Sequence, residues 1–151
     1  MYDELSDDQT FSTDNQLRKT LPVSLANLTE LTDLWLYSNQ LSGSIPEEYG
    51  NMTNLNYLII SNNQFSDSIP ASLGQLANLI NLNLSSNQLS GSLPESLGDL
   101  NSLVQLFLAG NQFSGSLPAL LLKILNPIST YLTMPFYMHH RIVWGNPSIR
   151  L

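Results

Sequence analysis

The stretch SNQLSGSIPEEYG, from Ser38 to Gly50, returns at a spacing of 24 residues as NNQFSDSIPASLG from Asn62, SNQLSGSLPESLG from Ser86 and GNQFSGSLPALLL from Gly110. A fixed period of this size asks for one structural unit stacked on copies of itself, and so excludes most globular folds. Each copy is preceded by apolar residues at the same offsets: Leu31, Leu34, Leu36, then Leu55, Leu58, Ile60, then Leu79, Leu82, Leu84, then Leu103, Leu106, Leu108. The last two of each set are two residues apart, the strand period, so both point to one side of a short strand. One coil cannot bury that side alone; a stack of coils can. A half-copy, Asn15, Leu17 and Leu21-Pro22, lies one period upstream.

The other fixed positions have physical roles. Asn39, Asn63, Asn87 and Asn111 follow the strand as the chain turns away. Their amides are expected to bond backbone N–H and C=O groups of the turn and of the neighbouring coil, forming a ladder. Gly43, Gly91 and Gly115 suit a backbone conformation awkward for residues with a Cβ, and Asp67 takes that place in the second copy. Pro46, Pro70, Pro94 and Pro118 start the return path, where a missing N–H costs nothing. Short helical turns such as PEEYG and PESLG then follow, with Gly50, Gly74 and Gly98 expected as residues that end them in a left-handed conformation.

The resulting pattern, L-x-x-L-x-L-x-x-N-x-L-x-G-x-[IL]-P, resembles the plant-type leucine-rich repeat of receptor ectodomains and polygalacturonase-inhibiting proteins. The resemblance covers about residues 15–125. It implies an α/β solenoid: a leucine-rich repeat arc with a short parallel β-sheet on the concave face and short helical turns on the convex face. Three regions are expected, an irregular N-terminal segment 1–14, the repeats at 15–126, and an atypical C-terminal tail or cap at 127–151. The family's usual cysteine-containing cap has no counterpart in MYDELSDDQTFSTD. At the other end the register breaks, since Pro127, Thr130 and Pro135 stand where apolar residues and an asparagine are due. The tail is basic and aromatic, and is expected to cover the open end of the solenoid, to link to other material, or to pair with another chain in self-association.

Charge and composition narrow the function. The chain of 151 residues carries a net charge of −7, with no Lys or Arg between Thr20 and Leu122. A body so acidic repels phosphate backbones, which argues against nucleic-acid binding. The most apolar run, LPALLLKIL, is too short to span a bilayer and contains Lys123, so no membrane insertion is expected. MYDELSDD has neither the basic nor the apolar region of a signal peptide, and the resemblance alone suggests an extracellular or cell-surface location. Cysteine is absent, which removes disulfides and thiolate metal sites.

Residues for catalysis are few. His139 and His140 are adjacent, so in an extended segment they point opposite ways and make a poor metal pair. Gly110 and Gly115 have the spacing of a phosphate-binding loop, but Ser116-Leu117 stands where Lys-Ser/Thr is required. No catalytic residue, metal or cofactor is assigned, and no enzyme activity is expected. Three sequons occur, at Asn27, Asn51 and Asn83. The first two share one convex position and are the candidate glycosylation sites, whereas Asn83 falls within a strand.

The informative surface is the concave one. Residues beside the core leucines are expected to form rows across the sheet: Asp33, Tyr57, Asn81, Gln105, then Trp35, Ile59, Asn83, Phe107, then Tyr37, Ser61, Ser85, Ala109, with Asp33 at the edge of the aromatic patch. Trp35, Tyr37, Tyr57 and Ile59 should be exposed and contiguous, an arrangement that marks an interaction site or, alternatively, cross-strand pairs that only stabilise the sheet. The expected function is a non-catalytic module that binds a protein or peptide on this face. Alternatives are an inhibitor of the polygalacturonase-inhibitor type, a surface (ice) binder, and a truncated receptor ectodomain fragment. Ice binding wants a regular array of like residues, and the concave rows mix Trp, Ile, Asn and Phe.

Overall fold

The computed structural model of the chain describes residues 16–116 and Pro118, together with the backbone of residues 10–11 and 142–143. The expectations for Asn15, for the two histidines and for the rest of the tail lie outside these residues. Strands β3 (Asp33–Trp35), β5 (Tyr57–Ile59), β7 (Asn81–Asn83) and β9 (Gln105–Phe107) stack in parallel, one per coil. Their register sets Leu34, Leu58, Leu82 and Leu106 in one column. These four are buried with Leu36, Ile60, Leu84 and Leu108 in one continuous core. The period-2 spacing of the leucines is therefore what orients these four strands.

The sheet extends beyond the repeats at both ends. Strand β1 (Thr10–Phe11) pairs with Leu34 and Trp35, one period upstream, so the N-terminal segment expected to be irregular supplies a strand. No L-x-x-L-x-L marks it, because backbone pairing does not require leucine. At the far end β11 (Ile142–Val143) pairs with Leu106 and Phe107, 36 residues on where the repeat would give 24.

A second set of strands runs along the flank of each coil: β2 (Arg18–Thr20), β4 (Gln40–Gly43), β6 (Gln64–Phe65), β8 (Ser90–Gly91) and β10 (Gln112–Phe113). They form a three-stranded and a two-stranded parallel sheet, bridged by the Gln88 N–H to Phe65 O and Ser90 N–H to Asp67 O bonds. Their sequence alternates in burial: Gln40 is exposed, Leu41 buried and Ser42 half-buried, and Phe65, Leu89 and Phe113 repeat the inward position.

Among the described residues the return path holds four 3-10 turns, Val23–Asn27, Glu47–Asn51, Ala71–Gln75 and Glu95–Asp99, each entered from a proline in extended conformation. Their bonds are of the i→i+3 kind, such as Tyr49 N–H to Pro46 O, the geometry common in turns this short. Gly50, Gly74 and Gly98 do not end these turns at positive φ; they lie inside them. Close approach explains Gly50 and Gly74. A Cβ on Gly50 would meet the carbonyl oxygen of Ser72 and lie 2.7 Å from Ser72 Cβ, and Gly74 faces Ser96 in the same way. Left-handed residues occur elsewhere, at Gly43, Asp67, Gly91 and Gly115, with Lys19 in the same column at φ 93°.

Candidate functional site

Behind the candidate surface stands a hydrogen-bonded frame. Asn63 donates through Nδ2 to Ile60 O, Ser61 O and Leu36 O, the last belonging to the preceding coil, and its Oδ1 accepts the Leu41 N–H at 3.0 Å. Asn87 repeats the set with Leu84 O, Ser85 O, Ile60 O and the Phe65 N–H. Asn39 and Asn111 make the corresponding bonds to Leu17 N–H and Leu89 N–H. Each amide thus satisfies backbone groups that two adjacent coils would otherwise bury unpaired.

One repeated feature beside the ladder escapes a sequence reading. Ser38, Asn62, Ser86 and Gly110 all have positive φ, between 53° and 71°. They reverse the chain just before each ladder asparagine. Gly110 and Asn62 in one column were the available signal, because both residue types favour that conformation; the two serines hid it.

The rows on the concave face have the expected register. Asp33, Tyr57, Asn81 and Gln105 stand side by side, as do Trp35, Ile59, Asn83 and Phe107. The aromatic residues are less open than the alternation alone suggests: Trp35, Tyr37, Tyr57 and Ile59 are all half-buried. Strands about 4.8 Å apart bring large row neighbours into contact, so each covers part of the next. The Trp35 and Tyr57 rings meet edge to face, 6.3 Å between centroids and 73° between planes. Asp33, the one acid in these rows, accepts a bond from the Thr32 hydroxyl at 2.6 Å.

The surface divides in two. The first two coils contribute Trp35, Tyr37, Tyr57 and Ile59, and the next two contribute Asn81, Asn83 and Gln105 with Phe107. Asn81 donates through Nδ2 to Gln105 Oε1, which leaves its Oδ1 enclosed and without a hydrogen-bond partner. Asn83 Oδ1 accepts from the Ser85 N–H and hydroxyl.

The flank is as uniform as the concave face is varied. Gln40, Gln64, Gln88 and Gln112 are all exposed, and Ser42, Ser66, Ser90 and Ser114 follow each by two residues. An open hollow of about 610 Å³ lies between flank and convex turns, lined by Ser44, Pro46, Glu47, Glu48, Asp67 and Pro70. Among the described residues no group of three or more His, Asp or Glu is placed to hold a metal, and no helix is long and apolar enough to cross a membrane.

Comparison with known proteins agrees with this geometry. Residues 53–113 match the family described as Leucine rich repeat, and residues 30–52 match a second leucine-rich repeat family. No curated protein matches the chain. The chain is similar to the Arabidopsis receptor kinase HAESA, solved with the peptide hormone IDA and the co-receptor SERK1, with 35% identity over 87% of this chain, 20% of that one, and a TM-score of 0.72. It therefore spans a small part of that receptor's length. It is also similar to the ectodomain of the receptor kinase SOBIR1 from Arabidopsis thaliana, at 31% identity over 91% of this chain and 68% of that one, TM-score 0.72. A plant ice-binding protein matches at 29% identity over 76% of this chain and 37% of that one, TM-score 0.73. Repeats, ladder, stacked strands and matched relatives converge: the chain belongs to the plant-type leucine-rich repeat family.

Proposed function

We propose that this chain is a non-catalytic binding module that holds an extended peptide or a protein loop across its concave sheet, in an extracellular or cell-surface setting. One observation carries the reading. The edge-to-face pair Trp35–Tyr57 sits on strands whose direction and register are fixed independently by the core and the asparagine ladder. Large side chains held in place lose little entropy when a partner covers them, and tryptophan and tyrosine are over-represented among energetic anchors. The polar half supports the reading too. Asn81, Asn83 and Gln105 set three half-buried amide side chains beside the aromatic pair, a chemistry that suits the N–H and C=O groups of a peptide backbone. A similar receptor, HAESA, was solved with a peptide hormone, which agrees with a peptide as ligand. The inhibitor reading rests on Asp33 alone and is the weaker form of protein binding.

The test compares two double variants in calorimetry against candidate peptides. Trp35→Ser with Tyr57→Ser should weaken binding by about 2 kcal/mol or more. Glu47→Gln with Glu48→Gln, on the convex turn, should change little beyond association rate. The opposite ranking would sink the concave-face reading.

A second reading, ice binding, has one observation in its favour. The concave rows mix residue types, but the flank repeats exposed glutamine and half-buried or exposed serine once per coil, and a plant ice-binding protein is among the similar structures. Inhibition of ice recrystallisation that disappears in Gln64→Lys with Gln88→Lys would establish it. Activity that survives that change would remove it.

A further inference from the structure

We infer that Asn27 and Asn51 are N-glycosylated and that their glycans cover the convex side of the first two coils; the inference rests on the extracellular setting proposed above. The sequons are Asn27-Leu28-Thr29 and Asn51-Met52-Thr53. Each asparagine is the last residue of a 3-10 turn, Val23–Asn27 and Glu47–Asn51. Asn27, Thr29, Asn51 and Thr53 are all exposed. Each side chain sits at the surface end of its turn rather than in the core, where only Ala26 of the first turn and Tyr49 and Gly50 of the second are buried. Both side chains therefore stand free in solvent, on the face opposite the concave rows. In the next two coils the same column holds Gln75 and Asp99, so the pattern stops there.

A separate observation points to a glycan at Asn27. The large apolar residues left exposed in the described structure are Leu17, Val23, Leu28 and Val104. Val23 begins the turn that Asn27 ends, and Leu28 is the middle residue of the sequon. Val23 is 51% exposed and Leu28 39%. A sugar chain rooted at Asn27 would shield both from other molecules. The position in the next coil corresponding to Leu28 is Met52, which is fully buried, and the position corresponding to Val23 is Glu47, so the coil of Asn51 exposes no such pair of its own.

The third sequon differs. Asn83 lies in β7 between Ile59 and Phe107, half-buried, and its Oδ1 is engaged by the Ser85 N–H and hydroxyl. A glycan there would stand in the middle of the concave face. The chemistry at an occupied site is a transfer from a lipid diphosphate-linked oligosaccharide. Asn Nδ2 forms a bond to the sugar C1, the C1–O bond to the diphosphate breaks, and the amide loses one proton as the lipid diphosphate leaves.

The experiment is secretion of the full chain from eukaryotic cells behind a cleavable leader, followed by peptide mapping after enzymatic deglycosylation, which converts an occupied Asn to Asp. Occupancy of Asn27 and Asn51 in most molecules, with Asn83 unmodified, is the expected result. Secreted, folded protein with Asn27 or Asn51 unmodified overturns the inference. Occupied Asn83 in folded protein leaves the convex sites standing and overturns the concave-face reading instead, so the two failures are separable. Asn27→Gln and, independently, Thr29→Ala should each remove one glycan and raise binding of an apolar dye several-fold. Asn51→Gln should remove one glycan with little change in dye binding. Equal dye binding by all three would refute the shielding of Val23 and Leu28.

Discussion

The concave sheet and the flanking sheet are built from the same coils, yet they use the repeat in opposite ways. On the flank the outward residues are nearly constant, Gln and Ser in each of the four copies. On the concave face the inward leucines are constant and the outward residues change from coil to coil, Asp33, Tyr57, Asn81, Gln105 in one row. A position that repeats serves a need every coil shares. A position that varies on an otherwise repeated frame is free to meet a need that only the whole surface has. The ladder asparagines belong to the first kind and Trp35 and Tyr57 to the second.

The sharpest way to break this comparison uses adjacent residues of different kinds. Asn87→Ala removes the acceptor of the buried Phe65 N–H and the donor to three carbonyls. It should cost about 3 kcal/mol in a urea titration, near the upper end for leaving buried groups unpaired. Gln88→Ala, one residue on but exposed on the flank, should change stability by less than about 0.5 kcal/mol. Similar midpoints for the two would mean that the frame is not where we place it. Next in size is the loss of about 2 kcal/mol of binding in the Trp35/Tyr57 double variant, which should lower stability by about 1 kcal/mol through loss of the ring pair, well short of Asn87→Ala.

A smaller effect concerns the convex turns, where Tyr49 occupies the position that Leu73 and Leu97 fill in later coils. Tyr49 is fully buried, its hydroxyl donates to Pro22 O at 3.3 Å, and burial pushes its pKa well above the ordinary tyrosine value. Unfolding above about pH 10 therefore releases a proton from Tyr49 that the folded state retains. Its contribution is complete below pH 10 and is lost as pH rises, at up to about 1.4 kcal/mol per pH unit. Tyr49→Phe should flatten that alkaline decline while leaving neutral stability within about 1 kcal/mol. An identical alkaline slope in the variant would assign the decline elsewhere. The smallest effect belongs to the left-handed column. Asp67→Gly should raise stability by about 1 kcal/mol, since φ of 66° is strained for a residue with a Cβ. No gain would show that the Asp side chain compensates locally.

What the sequence makes legible follows from which positions repeat. The leucine spacing gives the strands and their register, and the asparagine column gives the ladder, because both needs recur in every coil. The flank strands were also within reach: Gln40-Leu41-Ser42 alternates polar, apolar, polar, though over too few residues to stand out. Gly50 and Gly74 were legible as special but not as to why, since a ban on a Cβ by the carbonyl of the next coil is a three-dimensional fact that imitates a conformational preference. The half-burial of Trp35 and Tyr57 depends on which side chains become row neighbours. Strands β1 and β11 carry no repeat signature at all, because a chain segment joins a sheet edge through its backbone.

The ladder also has a direction. Each asparagine reaches back toward the coil before it: Asn63 takes the Leu41 N–H and gives to Leu36 O, and Asn111 takes the Leu89 N–H and gives to Leu84 O. A coil is therefore closed by its successor. Unzipping from the C-terminal side takes the side-chain partners away from backbone of the coil that remains, whereas fraying at the N-terminal side leaves each asparagine its bonds within its own coil. Amide exchange should spread unevenly from the two ends. A duplicated stretch of one period, inserted in frame, would bring its own rung and close the coil ahead of it, so an array of this kind can lengthen in the middle without any new fastening having to be invented.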